Sequence, residues 1–327
     1  MVARSNICIA VLLLTGTVQV SAQKFKLSHF VDSVLTKRYW RTDFDTNYIT
    51  RPKTKWTLMG RVNVAGAKIS SKGDQKNINF ESEMKADYKS TLSVGVNYLG
   101  LSLSFSLNPA KIMGKYQDYE LGFRSYGKRF GFDIAYQDAS NFSGWQIRNG
   151  VRQDVTTDED MFKLRTLNVN AYYVFNNRRF SYPAALATSY IQRRSAGSFL
   201  LATSFQGQHG DVKEDKQLEF KMTNIGIGAG YGYNFVPGSG WLLHLSALPT
   251  FIVYTHTSIT MRDTHIPLNY HFPEVIITGR GAVVKQFSHN KFAGISMVYY
   301  YTNIGYEKSL SVRNEKWLAR AYFGFRL

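Results

Sequence analysis

Apolar and polar residues alternate with a period of two through most of the chain. Leu101, Leu103, Phe105 and Leu107 interleave with Ser102, Ser104, Ser106 and Asn108. Ile225, Ile227, Tyr231, Tyr233 and Phe235 alternate with Gly226, Gly228, Gly230, Gly232 and Asn234. The chain closes on Trp317, Ala319, Ala321, Phe323, Phe325 and Leu327 set against Leu318, Arg320, Tyr322, Gly324 and Arg326. Successive side chains of a strand point to opposite faces, so each run is a strand with one apolar and one polar face. The pattern predicts strands at 55–66, 86–98, 101–108, 115–126, 129–138, 161–175, 197–207, 218–235, 241–256, 274–287, 291–304 and 315–327. Most exceed ten residues, against a mode of about 5–6 in soluble sheets. Tyr, Phe and Trp gather at the ends of the apolar faces, where side chains meet a membrane interface.

The connections alternate in length as well. Short turns at 98–100, 126–129, 176–179, 237–240 and 288–291 are separated by longer polar loops at 67–85, 109–114, 139–160, 208–217, 257–273 and 305–314. Short turns on one side and long loops on the other describe an outer-membrane barrel. The fold expected is therefore all-β: an antiparallel transmembrane β-barrel of about twelve strands, with a short N-terminal periplasmic helix. Residues 180–196 do not fit the alternation of strands and read as a periplasmic helical excursion from Tyr182 to Arg193.

Residues 1–22 read as a signal peptide. Arg4 precedes the apolar run 7–14, and Val20-Ser21-Ala22 supplies a small residue for cleavage. Residues 23–54 form a periplasmic segment in which Leu27, Phe30, Val31, Val34 and Leu35 recur at helical spacing. The barrel is expected over 55–327, and the location is the cell outer membrane. The single cysteine, Cys8, excludes a disulfide scaffold.

Charge changes the picture next. Forty Lys and Arg against 23 Asp and Glu give a formal net charge of +17. Much of the excess falls in the segments expected on the periplasmic side, at Arg38, Arg41, Arg129, Arg178, Arg179, Arg193 and Arg194. No recognition motif points to nucleic acid. A basic face of this kind suits anionic lipid headgroups or an acidic periplasmic partner, or serves solubility alone. Arg124, Arg280, Arg320 and Arg326 fall on the polar faces, where they would give the lumen a basic lining and set its selectivity.

Candidate chemistry is sparse. His244 and Ser246 share the inward face of one strand, a spacing at which the imidazole could activate the hydroxyl. The same strand offers no Asn, Asp or Glu to orient the ring, although a neighbouring strand could. The separations of His256, His265 and His271 fit no compact metal site, and Asp154, Asp158, Glu159 and Asp160 lack the glycine punctuation of a calcium loop. No cofactor is expected. The strip Gly226, Gly228, Gly230 and Gly232 leaves part of one inward face without side chains, which suits a bend in the wall, a conduit or a packed plug.

The stretch Phe44-Asp45-Thr46-Asn47-Tyr48-Ile49, followed by Pro52 and Trp56, resembles the opening of an uncharacterised outer-membrane family of Bacteroidetes catalogued as domain of unknown function 4421. Arg193-Arg194-Ser195-Ala196-Gly197-Ser198, Leu243-His244-Leu245-Ser246-Ala247, the ending Gly324-Phe325-Arg326 and Gln23 after the cleavage site are similar too. The resemblance implies a barrel and its location, and no activity. The closing strand resembles the signal that barrel-assembly machinery reads, with Leu327 where Phe is usual. The leading expectation is a non-enzymatic envelope protein that passes or binds a small or anionic ligand. Its rivals are a lipid-modifying hydrolase using His244 and Ser246, and an assembly factor that docks a periplasmic partner through the basic face.

Overall fold

The structure is a computed structural model that describes residues 43–327 apart from 76–77, 87, 100, 108, 110–118, 141, 149, 158–161, 213–217, 262–263, 267–273 and 307–309, together with positions 33, 36 and 37. The expected signal peptide, most of the expected N-terminal helix, Arg38 and Arg41 lie outside the described residues; positions 33, 36 and 37 are helical. Residues 1–41 and 42–327 form separate compact units.

In chain order the strands begin with β1 (Ile49–Thr50), β2 (Trp56–Gln75), β3 (Ile78–Ala86), β4 (Lys89–Tyr98), β5 (Leu101–Leu107), β6 (Tyr119–Tyr126), β7 (Phe130–Ala139), β8 (Phe142–Arg148) and β9 (Val151–Thr157). There follow β10 (Phe162–Val174), the helix α1 (Tyr182–Leu186), β11 (Ile191–Gln192), β12 (Ala196–Val212) and β13 (Leu218–Gly238). The last are β14 (Trp241–Met261), β15 (Thr264–Ile266), β16 (Val275–Gln286), β17 (Lys291–Tyr306) and β18 (Leu310–Arg326). Antiparallel pairing runs β2-β4-β5-β6-β7-β10-β12-β13-β14-β16-β17-β18, and β18 returns to β2. Closure pairs Arg326 with Thr57 and Ser311 with Lys72. At its base Trp56 and Leu327 exchange two backbone hydrogen bonds, of 3.2 and 2.9 Å. A ring without an open edge leaves no row of unpaired backbone groups, which hydrocarbon would not satisfy.

Burial follows the alternation. On β14, Trp241, Leu243 and Leu245 point outward at 42%, 39% and 73% exposure, whereas Leu242, His244 and Ser246 point inward at 5%, 4% and 3%. Phe105, Phe132, Phe199, Ile227, Ile295 and Phe323 continue the exposed apolar face around the ring. At the end that carries the short turns, Trp56 and Tyr98 lie 4.4 Å apart, Phe130 and Tyr173 4.9 Å, and Phe323 and Phe325 4.8 Å, an aromatic girdle. Among the described residues no helix is long and apolar enough to cross a membrane.

Three expected loops turn out to contain strands; in 257–273, β15 pairs back on the end of β14. β2 continues through Gln75, and β3, β8 and β9 extend the sheet sideways from it, so 67–85 and 139–160 carry hairpins. Lys68, Ser70, Glu81, Glu83 and Lys85 occupy one face of that stretch; on the other, Ala67, Ile69, Met84 and Ala86 pack with Phe142 and Leu164, a short apolar face that the sequence reading took for loop. Backbone ladders and charge pairs hold it, with Lys68 3.2 Å from Glu315 and Lys85 3.0 Å from Glu83.

The excursion also differs from expectation. Its helix stops at Leu186 and folds into the ring. Ser181 caps it by accepting from the Ala184 amide at 3.2 Å, and Pro183 sits in the first turn, where its missing N–H costs nothing. Phe180, Tyr182, Ala184, Ala185 and Tyr190 are buried against Leu200, Leu242, Leu248, Ala282 and Val284 of the wall. β11 pairs with β1, and Phe44 and Ile49 join the same cluster. Residues 43–50 therefore belong with the barrel rather than with a separate N-terminal segment. The hydrophobic core sits inside the ring, at the short-turn end.

Candidate functional site

The insert meets the wall through one directional chain of hydrogen bonds. Asn234 of β13 lies opposite His244 of β14 in the register. Its amide nitrogen donates to the Ser181 carbonyl at 2.9 Å and to Gln192 Oε1 at 3.1 Å. That fixes which way the amide points, so Asn234 Oδ1 faces His244 Nδ1 at 2.7 Å and accepts a hydrogen bond from it. His244 Nε2 is left as an acceptor for the Ser246 hydroxyl, 3.0 Å away. With its proton given to the imidazole, Ser246 Oγ accepts from the Tyr182 hydroxyl at 3.2 Å. Tyr182 in turn accepts from Arg280 Nη1 at 3.1 Å. Arg280 Nη2 lies 3.1 Å from Asp133 Oδ2, and Asn170 donates to Asp133 Oδ1 at 3.0 Å. Arg280 and Asp133 are both buried, and the pair is supported by the further hydrogen bonds to Tyr182 and from Asn170.

The four arginines expected to line the lumen divide. Arg280 is engaged as described. Arg326 is fully buried and donates to the Thr188 carbonyl at 3.1 Å, to Gln286 at 2.8 Å and to the His289 carbonyl at 3.1 Å. Both therefore tie the insert to the wall. Arg320 is half-buried on the inner face, opposite Asn63 and Ser296. For Arg124 only the backbone is described; it pairs with Asp133 and Ser102. Arg61, which the sequence reading passed over, is half-buried, and its guanidinium lies over Gly95, where an added Cβ would come within 2.7 Å.

The basic residues of the short turns do gather at one end. Arg129, Arg178, Arg179, Arg193 and Arg194 are exposed there. Arg129 donates to Asn177 at 3.3 Å, and Arg179 lies 3.5 Å from Asp45 and over the Tyr48 ring. Lys128 reaches Asp43 at 2.7 Å. Burial raises and Lys128 lowers the Asp43 carboxyl, and the lysine's hydrogen bond and charge together hold it below its ordinary value. Burial pulls the Lys128 ammonium down and Asp43 draws it up; with the charges of Arg129 and Arg51 added, it lies below its ordinary value.

The glycine strip has two uses. Cβ atoms at Gly228 and Gly230 would meet the carbonyl oxygens of Pro249 and Ala247 at 2.0 Å, so these two let the β13 and β14 backbones close on one another. At Gly232 a Cβ would lie 3.1 Å from Phe180, so this one makes room for the insert. Pro249, with no N–H to give, stands where the pairing of β13 with β14 lapses. Asp154 is exposed beside Arg152. Among the described residues no group of three His, Cys, Asp or Glu could hold a metal ion.

Sequence reasoning found His244, Ser246 and Arg280 and missed Asn234, Tyr182, Asp133 and Gln192. Asn234 carried a signal, as the polar residue ending an inward glycine face. Its partner depended on the β13–β14 register, and that of Tyr182 on where the insert folds.

No curated protein matches the chain. Among solved structures it is similar to the outer membrane protease OmpT from Escherichia coli, at 6% identity over 88% of this chain and 100% of that one, with a TM-score of 0.46. It is similar also to the translocator domain of autotransporter NalP from Neisseria meningitidis (9% identity, 92% and 97% covered, TM-score 0.35). A third is the outer membrane protein OprG from Pseudomonas aeruginosa (9%, 84% and 97%, 0.27). A family model matches residues 43–327, and the chain belongs to that family, described as a domain of unknown function, DUF4421.

Proposed function

We propose that the protein is a non-enzymatic twelve-strand outer-membrane barrel that binds or passes a small ligand and is closed at rest by its own insert. The observation that carries this is the packing of 176–192 inside the short-turn end. Apolar side chains fill the ring there, and the Arg280–Tyr182–Ser246–His244–Asn234 chain fastens them. The exposed apolar face and its aromatic girdle support contact with outer-membrane lipids. The closing strand β18 would present itself to the assembly machinery. The short-turn end would face the periplasm, where its arginines meet anionic headgroups or an acidic partner. Half-buried Arg61, Arg320 and Lys316 on the inner face support a ligand with acceptor oxygens. The test is conductance in a planar bilayer. Wild type should be closed, and Tyr182→Phe, which removes the hydroxyl between Arg280 and Ser246, should flicker open. A steady ohmic pore in the wild type sinks the plugged-barrel reading.

A second reading has one observation behind it. Asn234, His244 and Ser246 have the polarity of an acyl-transfer triad, with the base nitrogen on the hydroxyl. Ser246 is buried beneath Tyr182, however, and faces away from the lipid side. Fatty-acid release by the purified wild type, lost in both His244→Ala and Ser246→Ala, would favour the hydrolase over the latch.

A further inference from the structure

Beyond the insert, the inner wall changes character. Asn168, Gln206 and Asn224 stand side by side on β10, β12 and β13, and Gln137, Thr166 and Gln208 form the next row. The two rows set carboxamides close together on one face. Lys316, Tyr300 and Thr302 face them across a small enclosed space.

Three of these amides are incompletely used. Gln206 Oε1, Gln208 Nε2 and Asn224 Nδ2 are buried and make no hydrogen bond among the described residues. Gln208 is 8% exposed and Asn224 0%. An unpaired buried polar group costs about 1–3 kcal/mol, so three within adjacent rows need a reason. We infer that this inner face is a binding site for a small polyhydroxyl ligand, a saccharide by chemical class. The inference rests on the reading of the lumen as a ligand compartment.

The chemistry favours that class over an ion. A carboxamide offers an acceptor oxygen and two donor hydrogens, the same pair of roles that each sugar hydroxyl fills. Of the unused atoms, Gln206 Oε1 and Gln208 Nε2 line this space, one acceptor and one donor side by side, which a bare anion or a bare cation would not satisfy together. Lys316 is the one formal charge among the lining side chains, too little to define an anion site alone. The space measures about 30 Å³ where it is wide enough for a water-sized sphere. A sugar therefore enters by swinging back Gln206, Gln208 and Lys316, all long side chains with several rotatable bonds.

The test uses the full chain in detergent, with maltose, cellobiose and N-acetylglucosamine as neutral probes and sodium sulfate as the anion. Calorimetric titration and the thermal midpoint are read together. At least one saccharide should bind and raise the midpoint. Gln206→Leu and Gln208→Leu, which leave no amide to satisfy, should stay folded and bind it at least tenfold more weakly. Binding of sulfate alone, dependent on Lys316, overturns the inference. So does a structure in which water fills all three positions while no saccharide shifts the midpoint. A closed barrel that binds none of the sugars sinks this inference and leaves the plugged barrel standing; a conducting wild type does the reverse.

Discussion

The two ends of the lumen are built from opposite chemistry. At the short-turn end, Phe180, Tyr182, Ala184 and Ala185 are packed against Leu200, Leu242 and Val284, and the buried charge Arg280 has its partners in place. At the other end carboxamides line the wall and three of their atoms lack partners. The first end gains by staying shut, because opening it would return apolar surface to water and uncouple a buried ion pair. The second gains by being filled from outside. One ring of strands thus carries a seal and a compartment, and the difference lies in which inward residues each strand supplies along its length.

The contrast breaks first at its charged centre. Arg280→Ala should leave Asp133 buried and unpaired and cost about 3–5 kcal/mol. Lys316→Ala, on the half-buried wall of the other end, should cost under about 1 kcal/mol. Urea unfolding in micelles measures both, and similar values for the two would show that the ends do not differ.

A smaller effect tests the two faces of the wall. Phe132→Arg puts a charge against lipid and should cost about 2–4 kcal/mol near the midplane. Gln206→Glu, on the inner face and lining the same space as Lys316, should fold at close to the wild-type yield. Equal losses would mean that the outer face is buried in something other than lipid.

The smallest effect concerns the seat of the insert. Gly232→Ala would press a methyl group against Phe180 and should cost about 1–3 kcal/mol. At Gly279 the nearest atom to an added Cβ is 4.0 Å away, so Gly279→Ala should stay within about 0.5 kcal/mol. Limited proteolysis at 176–192 would show whether the insert loosens in the first variant alone.

Much of the ring was legible beforehand, because period-two alternation reports which face meets hydrocarbon without reference to any distant residue. The hairpins at 67–85 and 139–160 were not, since their apolar face, Ala67, Ile69, Met84, Ala86 and Phe142, is short and interrupted by Ser71, Ser82 and Gln146. The excursion was placed in the right stretch and on the wrong side of the wall. Only the packing of Phe180, Tyr182 and Tyr190 against the wall, with the room left at Gly232, placed it inside the ring. His244 and Ser246 were found as a pair because both lie on one strand. Asn234 was not joined to them because its approach is set by strand register.

Taken alone, the sequence determined the alternation, the closing strand, the polarity of the two faces and the concentration of arginine in the short turns. Each is a local property, fixed by side chains a few residues apart. The tertiary structure decided that the insert turns inward, that Arg280 and Arg326 clamp it rather than stand open, and that the unused amides of Gln206 and Gln208 face Tyr300, Thr302 and Lys316 across one space. Those are contacts between residues up to 147 positions apart, as between Asp133 and Arg280, and only closure of the ring brings them within hydrogen-bonding distance.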